Sequence, residues 1–189
     1  MKTLRIGLAL LIALSVTTFS RAAASDHGRD RDGQEIRATL IGYEEVPSVS
    51  TPARGRFSGK IAKDDSSIDY TLTFAGLAGT VQQSHIHFAQ KGVNGSIVVW
   101  LCQTTSTPAP AAVAGLTPVC PQPGGTVSGL ITAVNVITAS TPSQQIVAGE
   151  LAEVLAAIRA GVAYVNVHAT PLNPGGEIRG QIRASDDKD

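Results

Sequence analysis

Four histidines in 189 residues carry most of the chemistry this chain can offer. Two of them form His85-Ile86-His87. On a strand, residues i and i+2 project from the same face, so both imidazoles point one way while Ile86 and Phe88 point to a core. His168 ends the run Tyr164-Val165-Asn166-Val167-His168. There Val165 and Val167 take the core side, and Tyr164, Asn166 and His168 take the other. If the two strands pair, three imidazoles converge on one open sheet face. Imidazole suits copper, zinc and nickel, and three His with a free position make a metal site that a substrate can reach. Copper is the favoured ion, with Zn and Ni behind it. Imidazoles at their ordinary pKa predict loss of the metal below about pH 6. The competing reading of the same residues is a set of solvated or hydrogen-bonded histidines with no metal.

His27 offers a second, separate site. Small residues at Ala22 and Ala24 form a signal-peptidase pattern, and cleavage after Ala24 leaves Ser25-Asp26-His27 at a free N-terminus. An α-amine, two backbone amides and a third-position imidazole give the square-planar nitrogen set that Cu(II) and Ni(II) prefer. The single Met is Met1, within that leader, which argues against a blue-copper centre with an axial Met. No nucleophile elbow, phosphate loop or acid pair of glycosidase type stands out. Glu44-Glu45 are adjacent, so on a strand they face opposite sides, and they read as a solvated edge. Glu177 and Arg179 share a face and read as a structural cross-strand ion pair.

These residues need strands to position them, and the chain supplies short alternating runs separated by turn residues. Strands are expected at 35–43, 55–62, 67–74, 83–88, 96–102, 125–133, 162–168 and 177–183. Asp64-Asp65-Ser66 and Asn94-Gly95 supply turn chemistry between neighbours. One stretch breaks the period of two. Leu151, Val154, Leu155 and Ile158 follow the i, i+3, i+4, i+7 spacing of a short amphipathic helix over 150–161, stopped by Gly161. The fold class is therefore mainly β, an antiparallel, Greek-key-like sandwich or barrel with one short connecting helix.

Composition narrows the class further. With 43% hydrophobic and 16% charged residues, the chain is not of disordered type. Its 15 basic and 15 acidic residues cancel without forming a basic patch, which sets nucleic-acid partners aside. The basic start and apolar run of residues 1–24 read as a signal peptide too short to span a bilayer. The expected mature chain has a flexible tail at 25–34, one domain at 35–184 and a disordered tail at 185–189, with no transmembrane segment. Export to the periplasm or beyond makes a Cys102–Cys120 disulfide the natural state of the two cysteines, closing a loop rich in Pro, Ala and Thr. Trp100 is expected to pack beside it.

Several ordered motifs resemble the CHRD domain, named for its repeats in chordin. They are Gly42-Tyr43-Glu44-Glu45-Val46-Pro47, Gly76-Leu77, His85-Ile86-His87 with Asn94-Gly95, 157–161 (Ala-Ile-Arg-Ala-Gly), 164–168 and Gly176-Glu177-Ile178-Arg179-Gly180-Gln181. The resemblance spans about residues 35 to 183. It implies an exported, β-rich single domain with an extracellular or periplasmic partner of unknown identity. Three readings follow from residues and resemblance together. The first is a β-sandwich that binds copper through His85, His87 and His168, with no catalytic residue assigned. The second is an interaction module without metal. The third is a mononuclear copper enzyme of superoxide dismutase type, for which no flanking Arg or supporting carboxylate is assigned.

Overall fold

The computed structural model describes residues 33–185. The leader and the Ser25-Asp26-His27 group lie outside the described residues. Nine antiparallel strands form one sheet: β1 (Gln34–Ile41), β2 (Arg54–Ile61), β3 (Ile68–Ala75), β4 (Gly79–Phe88), β5 (Ser96–Cys102), β6 (Gly125–Ile131), β7 (Ala163–Pro171), β8 (Asn173–Gln181) and β9 (Arg183–Ala184). Their order is β5-β4-β7-β8-β1-β2-β3-β6, with β9 added on β1. The sheet curls until its ends nearly meet. Where β5 and β6 approach, Val99 pairs with Val136 and the Ile137 amide donates to the Val98 carbonyl at 3.0 Å, which covers the edge of β5. The result is a nearly closed barrel, as the period-two runs require once their apolar faces share one core.

The core side follows the alternation. In β3, Ile68, Tyr70, Leu72 and Phe74 are buried while Asp69 and Thr73 are exposed. Ile86, Val165, Val167 and Ile178 supply the same core from β4, β7 and β8. Tyr70 takes its hydroxyl across the interior to the Leu101 carbonyl at 2.7 Å, which satisfies the one polar atom it buries. The helix appears as α2 (Leu151–Arg159), with Leu151, Val154, Leu155 and Ile158 inward. A second helix, α1 (Ala111–Ala114), is a single turn in the Pro-rich loop, too short for periodicity to show. Cys102 and Cys120 are bridged, with 18 residues of separation. Closing a loop of that length stabilises by about 3 kcal/mol in the chain-entropy account. Among the described residues no helix is long and apolar enough to cross a membrane.

Three neighbouring strands, β4, β7 and β8, depart from simple alternation in burial. Seven consecutive residues of β7, from Ala163 to Ala169, are buried, so both of its faces are covered. One face meets the apolar core. The other carries polar side chains roofed by the segments 42–51, 90–95 and 172–176. The expectation of an open sheet face is therefore corrected: the His face is a closed polar layer. The gap between the strands expected at 162–168 and 177–183 is also shorter than it reads, because β7 runs on to Pro171 and β8 begins at Asn173.

Candidate metal centre

Strand pairing brings the three histidines together. In the β4–β7 register His85 lies opposite Asn166, His87 opposite Tyr164, and His168 opposite Gln83. His85 and His168 are thus diagonal neighbours on one face, with ring centroids 5.0 Å apart, and His85 and His87 stand 5.4 Å apart. The β7–β8 ladder is irregular between Val167 and Ala169, so His168 sits at a break in the pairing. Such breaks re-aim a side chain, and they cluster beside functional sites. One ring nitrogen from each of the three lies within 4.8 Å of the others.

The site is dry. Exposure is 0% for His85, 7% for His87 and 6% for His168. Two rings are fixed from behind by backbone. His168 Nδ1–H donates to the Pro174 carbonyl at 2.8 Å, which leaves Nε2 as a buried lone pair with no partner. His87 Nδ1 lies 2.9 Å from the Gly95 carbonyl, and Nε2 lies 3.1 Å from Asn166 Oδ1. A neutral ring has one N–H for two oxygens. The Asn166 amide can turn its NH2 inward and the Gly95 carbonyl cannot, so the proton belongs on Nδ1 and Nε2 offers its lone pair. His85 has no hydrogen-bond partner on either nitrogen. Anchoring one imidazole nitrogen so that the other faces inward is how ligating histidines are held.

Burial pushes all three imidazoles toward the neutral, ligating form. His87 is lowered to about 4, chiefly by burial. His85 is held well below the usual imidazole range by burial, with the two neighbouring His adding to the effect and the nearby Asn166 side chain opposing it. His168 is lowered by burial, opposed by its bond to Pro174. The expected metal loss near pH 6 is corrected accordingly, because protons compete for these rings only in more acid solution.

Around the cluster lie residues that sequence reasoning placed elsewhere. Trp100, expected beside the disulfide, has its ring edge-on against His85 with centroids 4.3 Å apart. It stands opposite His85 in the β4–β5 register, a pairing visible only once those strands are aligned. Tyr164 stacks on His87 at 4.6 Å, nearly parallel. The Arg179 guanidinium lies 3.4 Å over the far face of Tyr164 and donates to the Val93 carbonyl and Asn94 Oδ1. The expected Glu177–Arg179 ion pair does not form. Glu177 instead accepts from Thr51 Oγ1 and the Ala78 amide, at 2.7 and 2.9 Å. Neither is Glu44-Glu45 a solvated edge. Glu44 pairs with Lys91 at 3.0 Å, while Glu45 turns inward, 6% exposed, against Gly176. A Cβ at Gly176 would collide with that carboxylate, and its φ of +131° also selects glycine. Burial raises Glu45 to about 7, with Arg179 pulling it back in part.

The family model for the CHRD domain matches residues 36–182. The chain belongs to the CHRD domain family. No curated protein and no solved structure matches it. In this CHRD domain the motif 42–47 is the roof segment that carries Glu45, the 164–168 motif is β7, and 176–181 is the part of β8 that carries Glu177 and Arg179. These three stretches, within the matched range, also build the His layer and its roof. CHRD membership and the disulfide together support an extracellular, interaction-type module.

Proposed function

We propose that this domain binds one transition-metal ion, copper in preference to zinc or nickel, through His85, His87 and His168 after export by cleavage of its leader. The observation that carries the reading is the set of buried lone pairs. His168 Nε2 and both nitrogens of His85 have no hydrogen-bond partner, and Trp100 Nε1 beside them is also unpaired. An ion would take the lone pair of His168 Nε2 and the one lone pair of the neutral His85 ring. Copper is put ahead of zinc and nickel because it heads the affinity order for nitrogen donors as a divalent ion and can also bind as a monovalent one. No catalytic role is assigned. A dismutase reading needs a position that substrate can reach, and exposures of 0, 7 and 6% do not favour it.

A second reading, a metal-free interaction module, is favoured by the CHRD match. Melting temperature separates the two. The exported protein is compared with and without copper, supplied as Cu(II) in air and as Cu(I) without oxygen, in a His27→Ala background that removes any N-terminal site. Metal at a hundredfold excess over Kd adds about 2.7 kcal/mol, a rise of roughly 5–10 °C for a domain of this size. A rise with either form supports the metal site. No rise with either, and none with Zn(II), leaves the interaction module.

A further inference from the structure

On the reading that these histidines hold copper, we infer that the site is built for Cu(I) rather than Cu(II). Charge carries the argument. The ligand group among the described residues consists of three neutral imidazoles, with no thiolate or carboxylate in it. The centre would therefore keep the full charge of its ion, +1 or +2, in a closed layer. The cost of burying an ion scales with the square of its charge, so a divalent ion costs roughly four times a monovalent one before ligand bonds are counted.

The surroundings do not supply the missing anion. Glu177 is engaged by Thr51 and Ala78, and Glu44 by Lys91. Glu45 lies against Gly176 with Arg179 near it. The fixed charge that faces His87 across the Tyr164 ring has the wrong sign for a divalent ion. Arg179 is 1% exposed and permanently cationic, and only the Tyr164 ring separates it from His87. Its field reaches the cluster through low-dielectric surroundings and penalises each added positive charge. The Trp100 ring walls His85 with apolar surface in place of water. A monovalent, weakly hydrated ion with a low coordination number suits such a chamber. A divalent ion that keeps waters or an anion does not.

The test uses the whole exported protein carrying His27→Ala, titrated without oxygen against Cu(I) held by bicinchoninate, and in air against Cu(II) sulfate. Emission of Trp100, the single Trp of the chain, reports occupancy beside His85. The expected result is Cu(I) affinity on the order of 100-fold above that for Cu(II), which at 59 mV per tenfold raises the copper potential by about 120 mV over the aqueous couple. Asn166→Asp then places a carboxylate 3.1 Å from His87 Nε2 with no change of volume. It should cut the Cu(I) preference at least tenfold, by strengthening Cu(II) binding. Equal or tighter binding of Cu(II) or Zn(II) by the unaltered site would overturn this inference and leave the metal site standing. Binding of none of the three ions would overturn both.

Discussion

Replacing His85 with Leu abolishes metal binding and leaves the metal-free domain more stable. His85 is fully buried, and neither ring nitrogen finds a partner. A buried polar group without a hydrogen bond costs about 1–3 kcal/mol, whereas an apolar side chain of similar size at the same place costs nothing of that kind. The surroundings suit the exchange, because the Trp100 ring already lies against this position. Binding moves the opposite way. Loss of a supporting residue behind a ligand costs on the order of 10–100-fold in affinity, and loss of a ligand itself reaches at least the upper end. His87→Ala and His168→Ala lose affinity as strongly, but they also release the Gly95 and Pro174 carbonyls, so neither should gain stability. Urea denaturation in the presence of a chelator, beside a copper titration of the same sample, reads both quantities. A His85→Leu protein that binds copper normally and unfolds more easily would make His85 a packing residue.

Acid should loosen the metal-free domain between about pH 6.5 and 4 and spare the loaded one. In the unfolded chain each imidazole gains its proton near 6.5. In the fold His87 does so only near 4, and His85 and His168 are also lowered. These groups stabilise fully above 6.5, and that contribution is lost as pH falls toward the folded values, because the unfolded chain then binds the extra protons. His87 alone accounts for about 3 kcal/mol across the window. Glu45 works the other way. Its pKa is raised from 4.5 to about 7, so its contribution is present in acid and is lost as pH rises through that range. Where the windows overlap, three imidazoles oppose one carboxyl, and the net slope still favours neutral pH. Bound metal holds the rings deprotonated and shifts the acid transition downward. Stability measured from pH 7.5 to 4, with and without copper, checks this. A metal-free domain equally stable at pH 7 and 5 would contradict the buried, neutral cluster.

The strands were legible because the period of two is local. Ile68 to Phe74 declares its core face in the sequence, and Leu151 to Ile158 declares a helix in the same way. The three-His group was legible too, since two residues of spacing and one strand pairing suffice to join His85, His87 and His168. Its closure was not. The roof consists of backbone from 42–51, 90–95 and 172–176, and no periodicity tells a loop to fold over a sheet face. Glu45 shows the point. Its neighbour Glu44 reaches a surface lysine, while Glu45 is drawn inward beside a glycine 131 positions along the chain. Glu177 and Arg179 share a face, as alternation predicts, yet each is claimed by a different loop before they can pair. Burial decides the chemistry here. It keeps three ordinary imidazoles neutral, and it replaces the open sheet face expected from the sequence with a closed layer.

The most direct test is a crystal structure of the copper-loaded, signal-cleaved protein, with anomalous scattering measured at the copper edge. The account predicts one strong peak on the roofed face of β4 and β7, away from the apolar core and about 2.0 Å from one nitrogen each of His85, His87 and His168. Pro174 and Gly95 should still hold the two Nδ1 atoms. A peak confined to the N-terminus at His27, or an empty cluster in protein that carries copper elsewhere, would contradict it.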